Sequence, residues 1–138
     1  MREVARVLSS KHRISKKNTN NKIINNIVYY IEKNIEVSAS HHLVLDYDSK
    51  CTKPHGHNWR ITIYCRSKEL NQNGMVVDFG EIKERIKRVI DHQDLNEVLP
   101  FNPTAENIAR WCTEQIETCY KARVQESEGN VAIYSIED

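Results

Sequence analysis

At 138 residues the chain is long enough for one domain around a single hydrophobic core. With 39% hydrophobic and 28% charged residues it falls in the ordinary globular range, which excludes general disorder. A net charge of +1 gives no strong electrostatic drive toward nucleic acid or a membrane, and no apolar run approaches the roughly 18 residues of a spanning helix.

Residues 1–22 are polar and basic, with Lys11, Arg13, Lys16 and Lys17 and an asparagine patch at Asn18, Asn20 and Asn21. So little there can bury surface that a flexible basic arm is expected, followed by a single domain at 23–138. Arg2 and Arg6 precede no apolar run, so the N-terminus does not read as an export signal. Nucleic-acid binding through the arm is a minor alternative to simple solvation.

From Ile23 to about Ser38, Ile27, Tyr29, Ile31, Ile35 and Val37 alternate with more polar residues and predict a long strand. Lys33-Asn34 interrupts its apolar face and suggests a bulge or bend. A loop follows from Ser40 to Pro54. Trp59, Ile61, Ile63 and Cys65 then alternate with Arg60, Thr62, Tyr64 and Arg66, the pattern of a half-buried strand. Asn71 to Gly74 is a turn.

Two helices are predicted next. Phe79, Ile82, Ile86, Val89 and Ile90 share one helical face behind an Asp78 N-cap. In the second, Asn102 caps, Pro103 takes the first position, and Ala105, Ile108, Cys112, Ile116 and Cys119 form the buried stripe. Asp91 to Phe101 is a connection. A closing hairpin runs from Ala122 to Gln125 and from Val131 to Ile136. The order ββααββ implies an α+β fold: a four-stranded antiparallel sheet with both helices on one face. The four cysteines (Cys51, Cys65, Cys112, Cys119) are sparse for a disulfide scaffold, so reduced thiols and a cytoplasmic location are expected.

Of the six histidines, five lie in or beside loops: His41, His42, His55, His57 and His92. In His55-Gly56-His57 the i, i+2 spacing at a strand start puts both imidazoles on one face, and Gly56 lets the backbone turn closely. A third imidazole from the end of the first strand would complete three nitrogens with an open fourth position, the pattern of catalytic zinc. Copper and nickel accept the same donors, and availability favours zinc. Cys51 has two readings: a fourth ligand closing a structural site, or a thiol activated beside a cation and Lys50. Asp91-His92 reads either as an oriented acid–base pair or as a helix-terminal histidine. Glu126 is an exposed strand residue or a pocket carboxylate for a ligand with adjacent N–H donors.

The ordered set Ser38-Ala39-Ser40-His41, Cys51-Thr52-Lys53-Pro54-His55-Gly56-His57-Asn58, Val77-Asp78-Phe79, Asp91-His92-Gln93-Asp94-Leu95-Asn96, Asn102-Pro103-Thr104-Ala105-Glu106 and Glu126 resembles the 6-pyruvoyl-tetrahydropterin synthase family. The resemblance covers about Ile35 to Tyr134. The three residues between Cys51 and His55 resemble the bacterial, carboxy-forming branch.

The resemblance implies zinc ligands at His41, His55 and His57, a catalytic cysteine at Cys51 and a proton relay at Asp91 and His92. It implies a pterin anchor at Glu126 and a pocket lining at Thr104, Ala105 and Glu106. His42 competes with His41 as ligand, and alignment of the strand end favours His41. The implied fold is the tunnelling fold, assembled as a homo-oligomer, commonly a hexamer of two stacked trimers with interfacial active sites. The implied reaction converts 7,8-dihydroneopterin triphosphate to 6-carboxy-5,6,7,8-tetrahydropterin with release of acetaldehyde and triphosphate, toward queuosine and other 7-deazapurines. Pyruvoyl-type triphosphate elimination and a non-enzymatic zinc- or pterin-binding module are the alternatives.

Overall fold

Alternation of apolar and polar residues over two long stretches builds the centre of the molecule. The computed structural model describes residues 16–17, 23–24 and 26–138. Strands β1 (Lys16–Lys17) and β2 (Ile23–Ile24) form a small antiparallel ladder of their own, and the remainder of the arm expected at 1–22 lies outside the described residues. The main sheet has four antiparallel strands in the order β3 (Tyr29–His41), β4 (His55–Ser67), β5 (Cys119–Ser127) and β6 (Asn130–Ser135).

The first long strand therefore starts at Tyr29 rather than Ile23 and runs past Ser38 to His41. No bulge forms at Lys33-Asn34. The β3–β4 register is continuous from Tyr29 opposite Ser67 to His41 opposite His55, and Asn34 accepts a hydrogen bond from the Thr62 hydroxyl at 2.8 Å. Ile35, Val37 and Ala39 on β3, Trp59, Ile61, Ile63 and Cys65 on β4, and Ala122 and Val124 on β5 form the sheet's share of the core. Each fully buried large aliphatic side chain here stabilises by ~1.5–3 kcal/mol.

Helical residues complete that core. α1 (Phe79–Ile82), a π-helical turn (Lys83–Lys87) and α2 (Arg88–Ile90) run on continuously, started by Asp78, whose carboxylate accepts the Gly80 N–H at 2.8 Å. Ile82, Ile86 and Ile90 are buried, whereas Phe79 (49% exposed) and Val89 (40%) are not. The wider π turn keeps i, i+4 residues in line and leaves the flanking pair outside. The connection after it contains a short helix, α3 (Leu95–Val98), capped by Asp94, with Leu95 and Leu99 buried.

α4 (Ala105–Gln115) is capped by Thr104, not Asn102: the Thr104 hydroxyl accepts the Asn107 N–H at 3.1 Å. Its buried residues are Ile108, Ala109, Cys112 and Thr113. It ends before Ile116, and Cys119, expected on the helix, opens β5 opposite Cys65. β5 and β6 join through Glu128-Gly129, where Gly129 takes φ 86°, the left-handed geometry a tight hairpin needs. Among the described residues no helix is long and apolar enough to cross a membrane.

One further contact shapes the site. Residues 91–94 cover the end of edge strand β3: His92 N–H donates to Ser38 O at 2.7 Å, Ser40 N–H to Gln93 O at 3.1 Å, and Ser38 N–H to the Asp91 carboxylate at 3.0 Å. Capping an edge this way removes unpaired strand groups.

Candidate metal centre and active site

The inward face of the sheet runs out of apolar residues at one end. Continuing Ile35, Val37 and Ala39 along β3 brings His41, and stepping back from Trp59 along β4 brings His57 and His55. Because side chains alternate with period two, all three imidazoles inherit the core-facing direction. One nitrogen from each of His41, His55 and His57 lies within 4.8 Å of the others, so the three residues can hold a metal ion. His42, the competing candidate, turns its ring toward Asn96 and belongs to no such cluster among the described residues.

Hydrogen bonds fix how two rings are protonated. His41 Nδ1 lies 2.8 Å from Pro103 O, and His55 Nδ1 lies 2.7 Å from Lys53 O. A carbonyl only accepts, so Nδ1 carries the proton and Nε2 presents its lone pair, as in metal-ligating histidines. The Nε2 atoms of His41 and His57 are buried and find no hydrogen-bond partner among the described residues. Buried polar atoms left unpaired cost ~1–3 kcal/mol each, and a bound cation would satisfy both. The donor set thus fits a first-row transition metal in a site with an open position.

Glu126 closes the cluster on the β5 side. It follows Ala122 and Val124 in inward alternation, at a register shift between Gln125 and Ser127. Its Oε2 is 3.4 Å from His41 Nε2 and 3.8 Å from His57 Nε2. A carboxylate so near favours charged imidazoles, yet both histidines are held below their ordinary pKa of 6.5. Burial is the main cause for each, and the neighbouring His55 ring adds to it. The contacts at neutral pH are therefore between a carboxylate and neutral rings. That protonation state is the one a metal requires.

A cleft of about 720 Å³ opens beside the cluster, lined in part by Ser38, Ser40, His57, Asn58, His92 and Glu126. His92 is 81% exposed on its side chain, with Nε2 3.8 Å from Asp91 Oδ2, beyond hydrogen-bond range. Its backbone sits at φ 60°, costing ~1–3 kcal/mol for a non-glycine residue, and the bond to Ser38 O holds it there. The other Asp91 oxygen clamps Ser38 N–H, so Asp91 also anchors the strand end.

Cys51 sits in a 3-10 turn (Lys50–Thr52) whose Ser49 cap accepts the Cys51 N–H at 3.1 Å. Its thiol is half-buried and belongs neither to the three-histidine cluster nor to the cleft wall. The structure thus supplies no metal bond from Cys51. Cys119 beside it and burial push the Cys65 thiol up, and burial pushes Cys112 up, so neither is a thiolate at neutral pH. Thr104, Ala105 and Glu106 open α4 and do not line the cleft of a single chain. Gly56 occupies plain strand geometry opposite Ser40, where an added Cβ would meet only Ala39 O at 3.9 Å, so no tight turn is made there.

Sequence reasoning left Ser38 and Asn96 without a role of their own and gave Asn102 and Pro103 only places at a helix start. Ser38 donates its hydroxyl to Asn58 at 2.7 Å on the cleft wall, and Pro103 orients His41 through its carbonyl. Asn96 and Asn102 bind the backbone beyond His41. The two asparagines stand inside motifs already singled out, which was the available signal. Backbone carbonyls leave none.

The family model described as 6-pyruvoyl tetrahydropterin synthase matches residues 30–137. The chain is 33% identical over 99 residues to the 6-carboxy-5,6,7,8-tetrahydropterin synthase of Synechocystis sp., covering 65% of this chain and 76% of that protein. It is 26% identical over 129 residues to the 6-pyruvoyl tetrahydrobiopterin synthase of Homo sapiens, covering 75% and 89%. The solved 6-pyruvoyl tetrahydropterin synthase of Caenorhabditis elegans superposes with a TM-score of 0.65 at 24% identity, over 79% of this chain and 96% of that one. That likeness, taken with the antiparallel four-stranded sheet, is the tunnelling fold. On the match over residues 30–137, the chain belongs to the 6-pyruvoyl tetrahydropterin synthase family of enzymes.

Proposed function

We propose that this chain converts 7,8-dihydroneopterin triphosphate and water to 6-carboxy-5,6,7,8-tetrahydropterin, acetaldehyde and triphosphate. The observation that carries this reading is the set of three clustered imidazoles, two of them with buried, unpaired Nε2 atoms facing Glu126, beside an open cleft in a chain of this family. The Synechocystis and Bacillus subtilis relatives, 33% and 24% identical, bear the name of that activity.

In this reading His41, His55 and His57 hold one zinc ion. Bound there, zinc supplies Lewis-acid polarisation of the substrate's side-chain hydroxyls. Cys51, as thiolate, removes a proton from a side-chain carbon, and Asp91 with His92 returns protons to the ring or side chain. His92 suits the task because its exposed ring reaches both solvent and the cleft. Glu126 accepts two hydrogen bonds from the amidine-like edge of the pterin, with charge-assisted strength. Thr104, Ala105 and Glu106 line the pterin pocket. Cys51 and residues 104–106 do not line the cleft of one chain, which favours active sites completed by a second copy in a homo-oligomer, with a hexamer expected. The four free thiols suit a cytoplasmic enzyme, whose product would feed queuosine and related 7-deazapurines.

Pyruvoyl-type triphosphate elimination is the second reading, favoured by the extent of the human match, 89% of that protein. Incubating zinc-loaded protein with dihydroneopterin triphosphate and identifying products by mass spectrometry separates them. Acetaldehyde supports the first; a pyruvoyl product supports the second. Unchanged substrate would sink both and leave a binding module, for which Cys51→Ala should be silent.

A further inference from the structure

His42, Leu43 and Val44 join the strand bearing His41 to the loop bearing Cys51, and two asparagine side chains grip them. Asn96, in α3, accepts the His42 N–H at 2.8 Å and donates its amide to His42 O at 2.9 Å. Asn102, just before α4, repeats the pattern on Val44 at 2.9 and 3.1 Å. Each carboxamide thus stands in for one peptide unit of a β-ladder. Aspartate could not: it has no donor for the carbonyl.

The two gripped residues are two apart, the repeat of an extended chain. Leu43 between them turns its N–H to the opposite side, and that N–H donates to Cys51 O at 2.8 Å. The anchors also come from informative places. α3 follows the Asp91-His92 turn, and the segment after Asn102 carries Pro103, whose carbonyl orients His41.

We infer that Asn96 and Asn102 are positioning residues for Cys51, holding 42–44 extended so that the Cys51 loop is fixed in one place against the end of β3. This rests on the reading of Cys51 as general base. The asparagines touch no substrate; they act through the Leu43–Cys51 bond.

The test uses the full-length, zinc-loaded protein with Asn96→Ala and Asn102→Ala. Releasing 42–44 should expose the half-buried Cys51, so its alkylation by iodoacetamide, followed by peptide mass spectrometry, should rise about fivefold or more. Cys65, Cys112 and Cys119, buried in the core, should stay protected. Displacing a catalytic group by about 1 Å costs up to ~100-fold, so kcat should fall roughly ten- to a hundredfold while KM and zinc content hold. Leu43→Pro keeps both asparagine side chains and removes the N–H on which Cys51 docks; it should reproduce both effects. Wild-type alkylation and kcat in a folded asparagine variant would overturn the inference, and where neither asparagine variant folds, the same result in Leu43→Pro does so. If the wild-type protein does not turn over the triphosphate, the functional reading fails, and the alkylation rates still decide the positioning.

Discussion

Two carbonyl oxygens, Pro103 O and Lys53 O, decide what His41 and His55 can do, because each accepts a hydrogen bond from Nδ1–H and so leaves the lone pair on Nε2. In the proposed site His57 is a zinc ligand, so His57→Ala is expected to lower bound zinc to well below one per chain, measured by atomic emission. Cys51→Ala should retain zinc and lose turnover, since the thiol lies outside the three-histidine cluster. The two depressed histidine pKa values set an acid limit. Between the folded values and 6.5 the unfolded chain binds more protons than the folded one, so stability is full above about 6.5 and falls as pH drops toward the folded values. Urea unfolding of metal-free protein at pH 7.5 and 5.5 should give a lower midpoint at 5.5, and equal midpoints would contradict this. At this scale the residue types were legible: imidazoles at His41, His55 and His57 and a carboxylate at Glu126 can be read without coordinates. Gly56 was misread, because glycine type does not say whether φ is positive.

The elements carry those residues by simple rules. Period-two alternation was written plainly in β4, and it places His55 and His57 on the face of Trp59 and Ile61. Helix ends were harder to read. Asn102 looked like a cap, yet its carboxamide is bound to Val44, and Thr104 performs the capping. Thr104→Ala should destabilise the protein by ~1 kcal/mol in thermal unfolding, a typical N-cap loss. Cys119 fits a helical stripe by spacing, but pairing with Cys65 draws it into β5. In such cases two local patterns compete, and a partner far away in sequence settles the outcome.

For the whole molecule, core and site are one structure. Trp59 is buried against both His41 (4.9 Å between ring centroids) and His57 (5.3 Å), and its indole N–H donates to Ala39 O at 3.2 Å. Trp59→Ala should cost ~3–5 kcal/mol and also weaken metal retention, a joint loss that calorimetry and metal analysis would register. Chelating the metal from wild-type protein should lower Tm, because a ligand bound only by the folded state stabilises it. The sequence by itself determined the alternating strands, the amphipathic helices and the chemical set of the site, since periodicity and residue type are local properties. The tertiary structure alone decided which carbonyl orients His41 from 62 residues away, that Glu126 abuts two imidazoles, and that Asn96 and Asn102 grip the chain leading to Cys51. Those contacts join segments distant along the chain, and burying the shared core is what brings them together.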